Sequence, residues 1–140
     1  MRSRVPQAML QRLAGVPLFS ECSRDELRSI AGLGTDVGVK EGYVLCAEGR
    51  PGSEFFLIAD GTARCVVGRK EVARLGPGDY FGELALLLNR PRSATVTATS
   101  DMTVHVFDRR EFAALLDDSP RIARKLLVAL AKREEPGYRG

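Results

Sequence analysis

The chain has 140 residues, 44% of them apolar, which is long enough for one cored domain and too short for two of ordinary size. Lysine and arginine number 21 against 18 aspartates and glutamates, and the two signs are interspersed, so the net charge of +3 is weak grounds for a nucleic-acid surface. No run of about 18 apolar residues occurs and the start Met1-Arg2-Ser3-Arg4-Val5-Pro6 lacks an apolar signal core, which argues against membrane insertion and export and for a cytoplasmic protein.

N-terminal helices are expected over residues 6–32. Gln7 to Leu13 has apolar residues at helical spacing, Pro17-Leu18-Phe19 interrupts it, and Ser23-Arg24-Asp25-Glu26 is a capping box that opens a second helix toward Ala31. Over 35–107 the pattern changes to short apolar runs such as Phe55-Phe56-Leu57-Ile58 and Thr103-Val104-His105-Val106-Phe107, with glycines recurring between them as turns. Many short strands with glycine turns predict a sandwich or jelly-roll barrel, interrupted by one short helix near residue 83. Three cysteines, Cys22, Cys46 and Cys65, are odd in number and form no Cys-x-x-Cys pair, so neither a disulfide framework nor a cysteine zinc site is expected. C-terminal helices follow over 109–134. Asp108-Arg109-Arg110-Glu111 repeats the capping logic, and Pro120 suits a first helical position because its missing N–H would be unpaired there anyway. Ile122, Leu126, Leu127 and Leu130 form an apolar stripe that must cover something, and the nearby Arg121, Arg124, Lys125, Lys132 and Arg133 read as a solvated face.

The segment from Phe81 to Val96 concentrates groups suited to an anion. Gly82 lets the backbone come close, and the turn that starts there presents N–H groups with no internal acceptor. Leu84 and Ala85 belong to that turn and are counted with the ligand-binding residues, although the side chains of Leu84 to Leu88 read as core. Glu83, ionised at neutral pH and able only to accept hydrogen bonds, would repel a phosphate but suits a neighbouring sugar hydroxyl. Arg92 supplies a planar fork matched to two phosphate oxygens. Together these groups are what a cyclic phosphodiester fused to a ribose requires. Taken singly each has an ordinary explanation: a helix-start carboxylate, a surface cation, a turn residue.

The stretch Phe81-Gly82-Glu83-Leu84-Ala85-Leu86, with Pro91-Arg92-Ser93-Ala94-Thr95-Val96, resembles the phosphate-binding cassette of the cyclic nucleotide-binding domain family. That family includes catabolite activator proteins, regulatory subunits of cyclic-AMP-dependent kinase and cyclic nucleotide-regulated channels. The likeness extends upstream through Glu41-Gly42-Tyr43-Val44-Leu45, Gly49-Arg50-Pro51-Gly52 and Phe55 to Gly61, and covers about residues 15 to 132. It implies a mainly β protein with flanking α-helices, a jelly-roll barrel carrying the cassette over 81–96, in a single domain spanning 1–140. It implies a cyclic nucleotide as ligand, held by Gly82, Glu83, Leu84, Ala85, Arg92, Ser93 and Ala94. Ser93 bears on the base: the Arg-Ser-Ala version is similar to that of bacterial cyclic-AMP receptors, which favours cyclic AMP, with cyclic GMP as the alternative. Cys65 and Val72 fall on strands where the family sets apolar side chains against the base, although simple core burial explains both equally. Leu126, Leu127 and Leu130 correspond to a hinged C-terminal helix that closes over the base, so any such lid here is apolar.

The expected function is a cyclic nucleotide sensor or regulatory domain that couples binding to movement of its C-terminal helix. The output is a protein effector or a fused domain, the oligomeric state monomer or weak homodimer, and no cofactor, metal or catalytic residue is expected. Rival readings are a cyclic GMP module, a fragment of a larger regulator, channel or enzyme, and a non-binding interaction domain of the same fold; the last is disfavoured by the presence of both Glu83 and Arg92. A cupin enzyme on a jelly roll needs a cluster of histidines, and this chain has only His105. A helix-turn-helix reader of the catabolite activator kind needs tens of residues after the last helix, so no DNA-binding domain is expected here.

Overall fold

The computed structural model describes residues 7–134. Its helices are α1 (Gln7–Ala14), α2 (Arg24–Leu33), α3 (Glu83–Leu87), α4 (Arg109–Asp118) and α5 (Pro120–Glu134), with a 3-10 turn at Pro17–Phe19. The strands are β1 (Thr35–Val39), β2 (Val44–Cys46), β3 (Glu54–Asp60), β4 (Ala63–Val67), β5 (Lys70–Leu75), β6 (Tyr80–Phe81), β7 (Thr95–Ala98) and β8 (Met102–Asp108). The chain divides into two compact units, a β-rich one over Leu33–Phe112 and a helical one built from the segments on either side. The fold is mainly β, antiparallel, with flanking helices.

In the β unit the strands form two four-stranded sheets, ordered β1-β8-β3-β6 and β2-β7-β4-β5. The order follows from one long folded ribbon. First pairs with last, second with seventh, third with sixth and fourth with fifth, and the rolled ribbon then brings β8 against β3 and β7 against β4. This is jelly-roll connectivity. The run Phe55-Phe56-Leu57-Ile58 is buried at all four positions because β3 is covered on both faces, which removes the polar alternation of a half-exposed strand. Phe56 and Ile58 join Phe81, Val96 and Val104 in the inner cluster. On the other face Phe55 meets Phe107, Tyr80 and, at 4.8 Å between ring centroids, Phe112 of α4.

The second sheet keeps its alternation. Cys46, Val96 and Ala98 turn into the inner cluster, while Arg64 stands outward directly opposite Arg74. Like charges at facing positions repel, and Glu71, 3.0 Å from Arg74, offsets part of that. His105 is buried: its Nδ1 lies 2.7 Å from Asp36 Oδ1, tying β8 to β1, and among the described residues its buried Nε2 has no hydrogen-bond partner.

Both capping boxes form. Ser23 Oγ accepts the Glu26 N–H at 3.1 Å while Glu26 Oε1 accepts the Ser23 N–H at 3.0 Å; the second bond holds the Glu26 carboxyl below the usual carboxylate range. Asp108 and Glu111 make the same reciprocal pair at the start of α4, at 2.7 and 2.9 Å. Within the helical unit α5 is fastened by polar bonds as well as apolar burial. Lys125 Nζ donates to Pro17 O at 3.0 Å and Ser20 Oγ at 2.7 Å, and Arg121 Nη1 donates to Glu21 O at 2.8 Å. Ile122 and Leu126 are buried, but Leu127 is 66% exposed, so it does not share their stripe. The reason is geometric: consecutive helical residues lie about 100° apart, and the buried face here follows the i, i+4 row. Leu130, the last of the expected stripe, has its side chain outside the described residues.

Candidate functional site

The cassette begins where β6 ends. Gly82 precedes α3 with φ +95, a conformation that side-chain-bearing residues avoid. A Cβ there would also lie 2.7 Å from the Glu54 carbonyl oxygen and 2.9 Å from Arg92 Nη1, so glycine is required both by the backbone and by its neighbours. Glu83 starts α3 and is only 3% exposed. The first N–H groups of that short helix have no acceptor within it. Ala85 and Leu86 are buried, as expected of core, while Leu84 is half-buried and Leu87 and Leu88 are exposed. That last pair corrects the expectation of a fully buried leucine run: a helix of five residues has one inward face, and Leu88 already caps it in the turn that follows.

Arg92 is 7% exposed and reaches back across the cassette. Its Nη1 donates to Gly82 O at 3.1 Å and its Nη2 to Glu54 O at 2.9 Å. The guanidinium carbon lies 5.7 Å from the centroid of the Phe56 ring, which itself stacks on Phe81 at 4.7 Å. A cation over an aromatic face gains from the ring quadrupole. Of its five guanidinium N–H groups, one on each terminal nitrogen points at these carbonyls.

Backbone bonds hold the base of this arginine. The Arg92 N–H donates to Arg50 O and the Gly49 N–H to Arg92 O, both at 2.9 Å, so the β2–β3 loop and the cassette are zipped together. Glu48 extends the tie: its N–H donates to Thr95 Oγ1 at 3.0 Å and its Oε1 accepts the Gly68 N–H at the β4–β5 turn at 2.8 Å. Ser93 is exposed and Ala94 half-buried beside them.

The expected base-lining residues separate. Cys65 sits opposite both Val96 and Ala73, on the row that also carries Cys46, and packs on the inner cluster. Val72 has no partner in the β4–β5 register, because Cys65 faces Ala73 and Val66 faces Glu71; it is a bulge residue and 53% exposed. Cys46 and Cys65 flank Val96 two strand spacings apart, roughly 9.5 Å, which is too far for a disulfide. Burial pushes the Cys46 thiol up to about 11, with the Arg92 charge pulling the other way. Iodoacetamide at neutral pH is therefore expected to spare Cys46 and label Cys65. Saturating cyclic AMP should slow the Cys65 reaction; an unchanged rate would show that Cys65 is core alone. Leu126 and Leu127 belong to the helical unit and the cassette to the β unit.

Sequence reasoning missed Gly52, Phe56 and the two carbonyls that position Arg92. Carbonyls carry no residue-type signal, since every residue has one. Gly52 was visible only as part of Gly49-Arg50-Pro51-Gly52, where it read as a turn glycine.

A family model described as cyclic nucleotide-binding domain matches residues 37–119, and the chain belongs to that family. It is 35% identical over 113 residues to the cyclic nucleotide-gated potassium channel mll3241 of Mesorhizobium japonicum, a match covering 81% of this chain and 31% of the channel. It is similar in structure to cAMP-bound PfPKA-R, with TM-score 0.77, 32% identity and coverage of 82% of this chain and 40% of that one. It is also similar to the catabolite activator protein of Thermus thermophilus, with TM-score 0.76, 30% identity and coverage of 84% and 57%. The chain thus spans about a third of the channel and 40% of the kinase regulatory chain. Among the described residues no helix is long and apolar enough to cross a membrane, and no group of three or more histidines, cysteines or carboxylates is placed to hold a metal ion.

Proposed function

We propose that this chain binds a cyclic nucleotide at the Gly82–Arg92 cassette and serves as a sensor, with cyclic AMP preferred over cyclic GMP and no catalytic step. The observation that carries this reading is the buried Arg92, its guanidinium fixed beside Gly82 by the Gly82 and Glu54 carbonyls. Glu83, buried nine residues earlier, is the acceptor for the ribose 2′-hydroxyl. The exposed Ser93 hydroxyl adds a phosphate contact rather than selecting guanine, and the cAMP bound to the similar PfPKA-R chain supports the same base. Competition of the two nucleotides on nucleotide-free protein tests the preference. Cyclic AMP is expected to displace cyclic GMP; a tenfold preference for cyclic GMP overturns the assignment.

The sensor acts through α5, whose Ile122 and Leu126 face is buried while Leu127 and Val128 are exposed for a new contact. Ligand binding shifts α5 between two placements and so shows or hides a protein surface, in trans or in the same polypeptide. Such a switch needs a differential affinity between states, typically about 1 to 3 kcal/mol. Cyclic AMP is expected to change amide exchange across residues 119–133; identical exchange with and without ligand would falsify the coupling. A cytoplasmic setting fits the free cysteines Cys22, Cys46 and Cys65, which a reducing compartment keeps as thiols.

A further inference from the structure

We infer that Gly52 is a positioning residue for Arg92: the side chain it lacks is the space in which the guanidinium lies. The inference rests on the cassette being the nucleotide site. Two glycines of the β2–β3 loop have opposite reasons to be glycine. Gly49 has φ +82 and a Cβ there would meet nothing, so its backbone conformation alone demands glycine. Gly52 is not among the residues with positive φ, so its φ does not by itself demand glycine. A Cβ at position 52 would instead overlap Nε and Cζ of Arg92 and come within 2.6 Å of its Cδ.

The loop has no easy retreat. On the N-terminal side it is pinned by the Arg92 N–H to Arg50 O bond and the Gly49 N–H to Arg92 O bond, and on the C-terminal side by the entry into β3. The Arg92 side chain, on its flexible stem, is the part that gives way. Any residue larger than glycine at position 52 therefore pushes the guanidinium off Gly82 O and Glu54 O, the two carbonyls that aim its remaining N–H groups. The fold is preserved and the site is lost.

A thermodynamic cycle on the full chain tests this, with thermal unfolding of the free protein and calorimetric titration with cyclic AMP for wild type, Gly52→Ala, Arg92→Ala, the double variant and Gly49→Ala. Gly52→Ala is expected to weaken binding at least tenfold and to lower Tm. In the Arg92→Ala background the same change is expected to leave Tm unchanged or slightly raised, because the clash is gone and alanine restricts the unfolded chain. The double variant should bind no worse than Arg92→Ala. Gly49→Ala, strained by its own backbone, should lower Tm equally with and without the Arg92 side chain. Binding by Gly52→Ala within threefold of wild type, or a Tm loss as large in the Arg92→Ala background as in wild type, overturns the assignment. If wild type itself does not take up cyclic AMP, the nucleotide reading fails, while the Tm cycle still decides whether Gly52 makes room for Arg92.

Discussion

Replacing Arg92 with alanine is expected to weaken cyclic AMP binding about 30-fold to several thousand-fold, since truncating one partner of a buried charge pair costs roughly 2 to 5 kcal/mol. From sequence alone Arg92 reads as a ligand group whose loss leaves the free protein's melting temperature nearly unchanged. The structure gives it a second task. It is 7% exposed, satisfies the Gly82 and Glu54 carbonyls and covers the Phe56 ring. Leaving two part-buried carbonyls without these donors costs up to about 1 to 3 kcal/mol each, less what water recovers. Relief of the desolvated charge works in the opposite direction, so the net expectation is a melting temperature lower by several degrees. Calorimetry and thermal unfolding on the same preparation check both halves. Affinity within threefold of wild type contradicts the site; an unchanged melting temperature contradicts the structural task.

Glu83→Gln is expected to weaken cyclic AMP binding about tenfold to 150-fold. A hydrogen bond to a charged acceptor is worth roughly 1.5 to 3 kcal/mol, and the amide presents a donor and a weaker acceptor where the carboxylate presented acceptors alone. The size of the loss distinguishes less than its pattern does. If the carboxylate serves the 2′-hydroxyl, then 2′-deoxy cyclic AMP binds wild type weakly and binds Glu83→Gln no worse than cyclic AMP does. A further loss on the variant as large as on wild type would place Glu83 elsewhere in the site.

How far the sequence reaches is clearest at particular residues. The two capping boxes were legible because a cap is a local matter of three residues, and Ser23–Glu26 and Asp108–Glu111 bond as their spacing predicts. The mainly β class was legible from short apolar runs between glycines. Strand order was not, because the pairing of β1 with β8 joins residues about seventy positions apart and no local pattern encodes it. The sequence reads Val72 as a strand position, but the missing register partner makes it a bulge, and a single-residue slip is invisible without the opposite strand. Periodicity alone places Leu127 in the apolar stripe, yet it is exposed, since in a helix of fifteen residues with leucines at 126 and 127 packing chooses the face.

The same distinction holds within the site. Gly82, Glu83 and Arg92 stood out because their types and spacing carry chemistry, and the structure brings Arg92 to 3.1 Å from the Gly82 carbonyl. The groups that aim Arg92 were hidden. Glu54 contributes through its backbone and Gly52 through an absence, and neither leaves a mark on a reading of side chains. On the proposed reading the contacts that fix Arg92 in the fold also aim it at the ligand, which is why both measurements on its variant are needed.

The central claim is that the cassette binds a cyclic nucleotide, and calorimetric titration of the chain with cyclic AMP tests it most directly, after unfolding and refolding to remove any nucleotide carried from expression. The account predicts saturable one-to-one binding with a dissociation constant on the order of micromolar, or about −8 kcal/mol. No saturable heat up to millimolar cyclic AMP or cyclic GMP, from protein shown to be refolded, would contradict it.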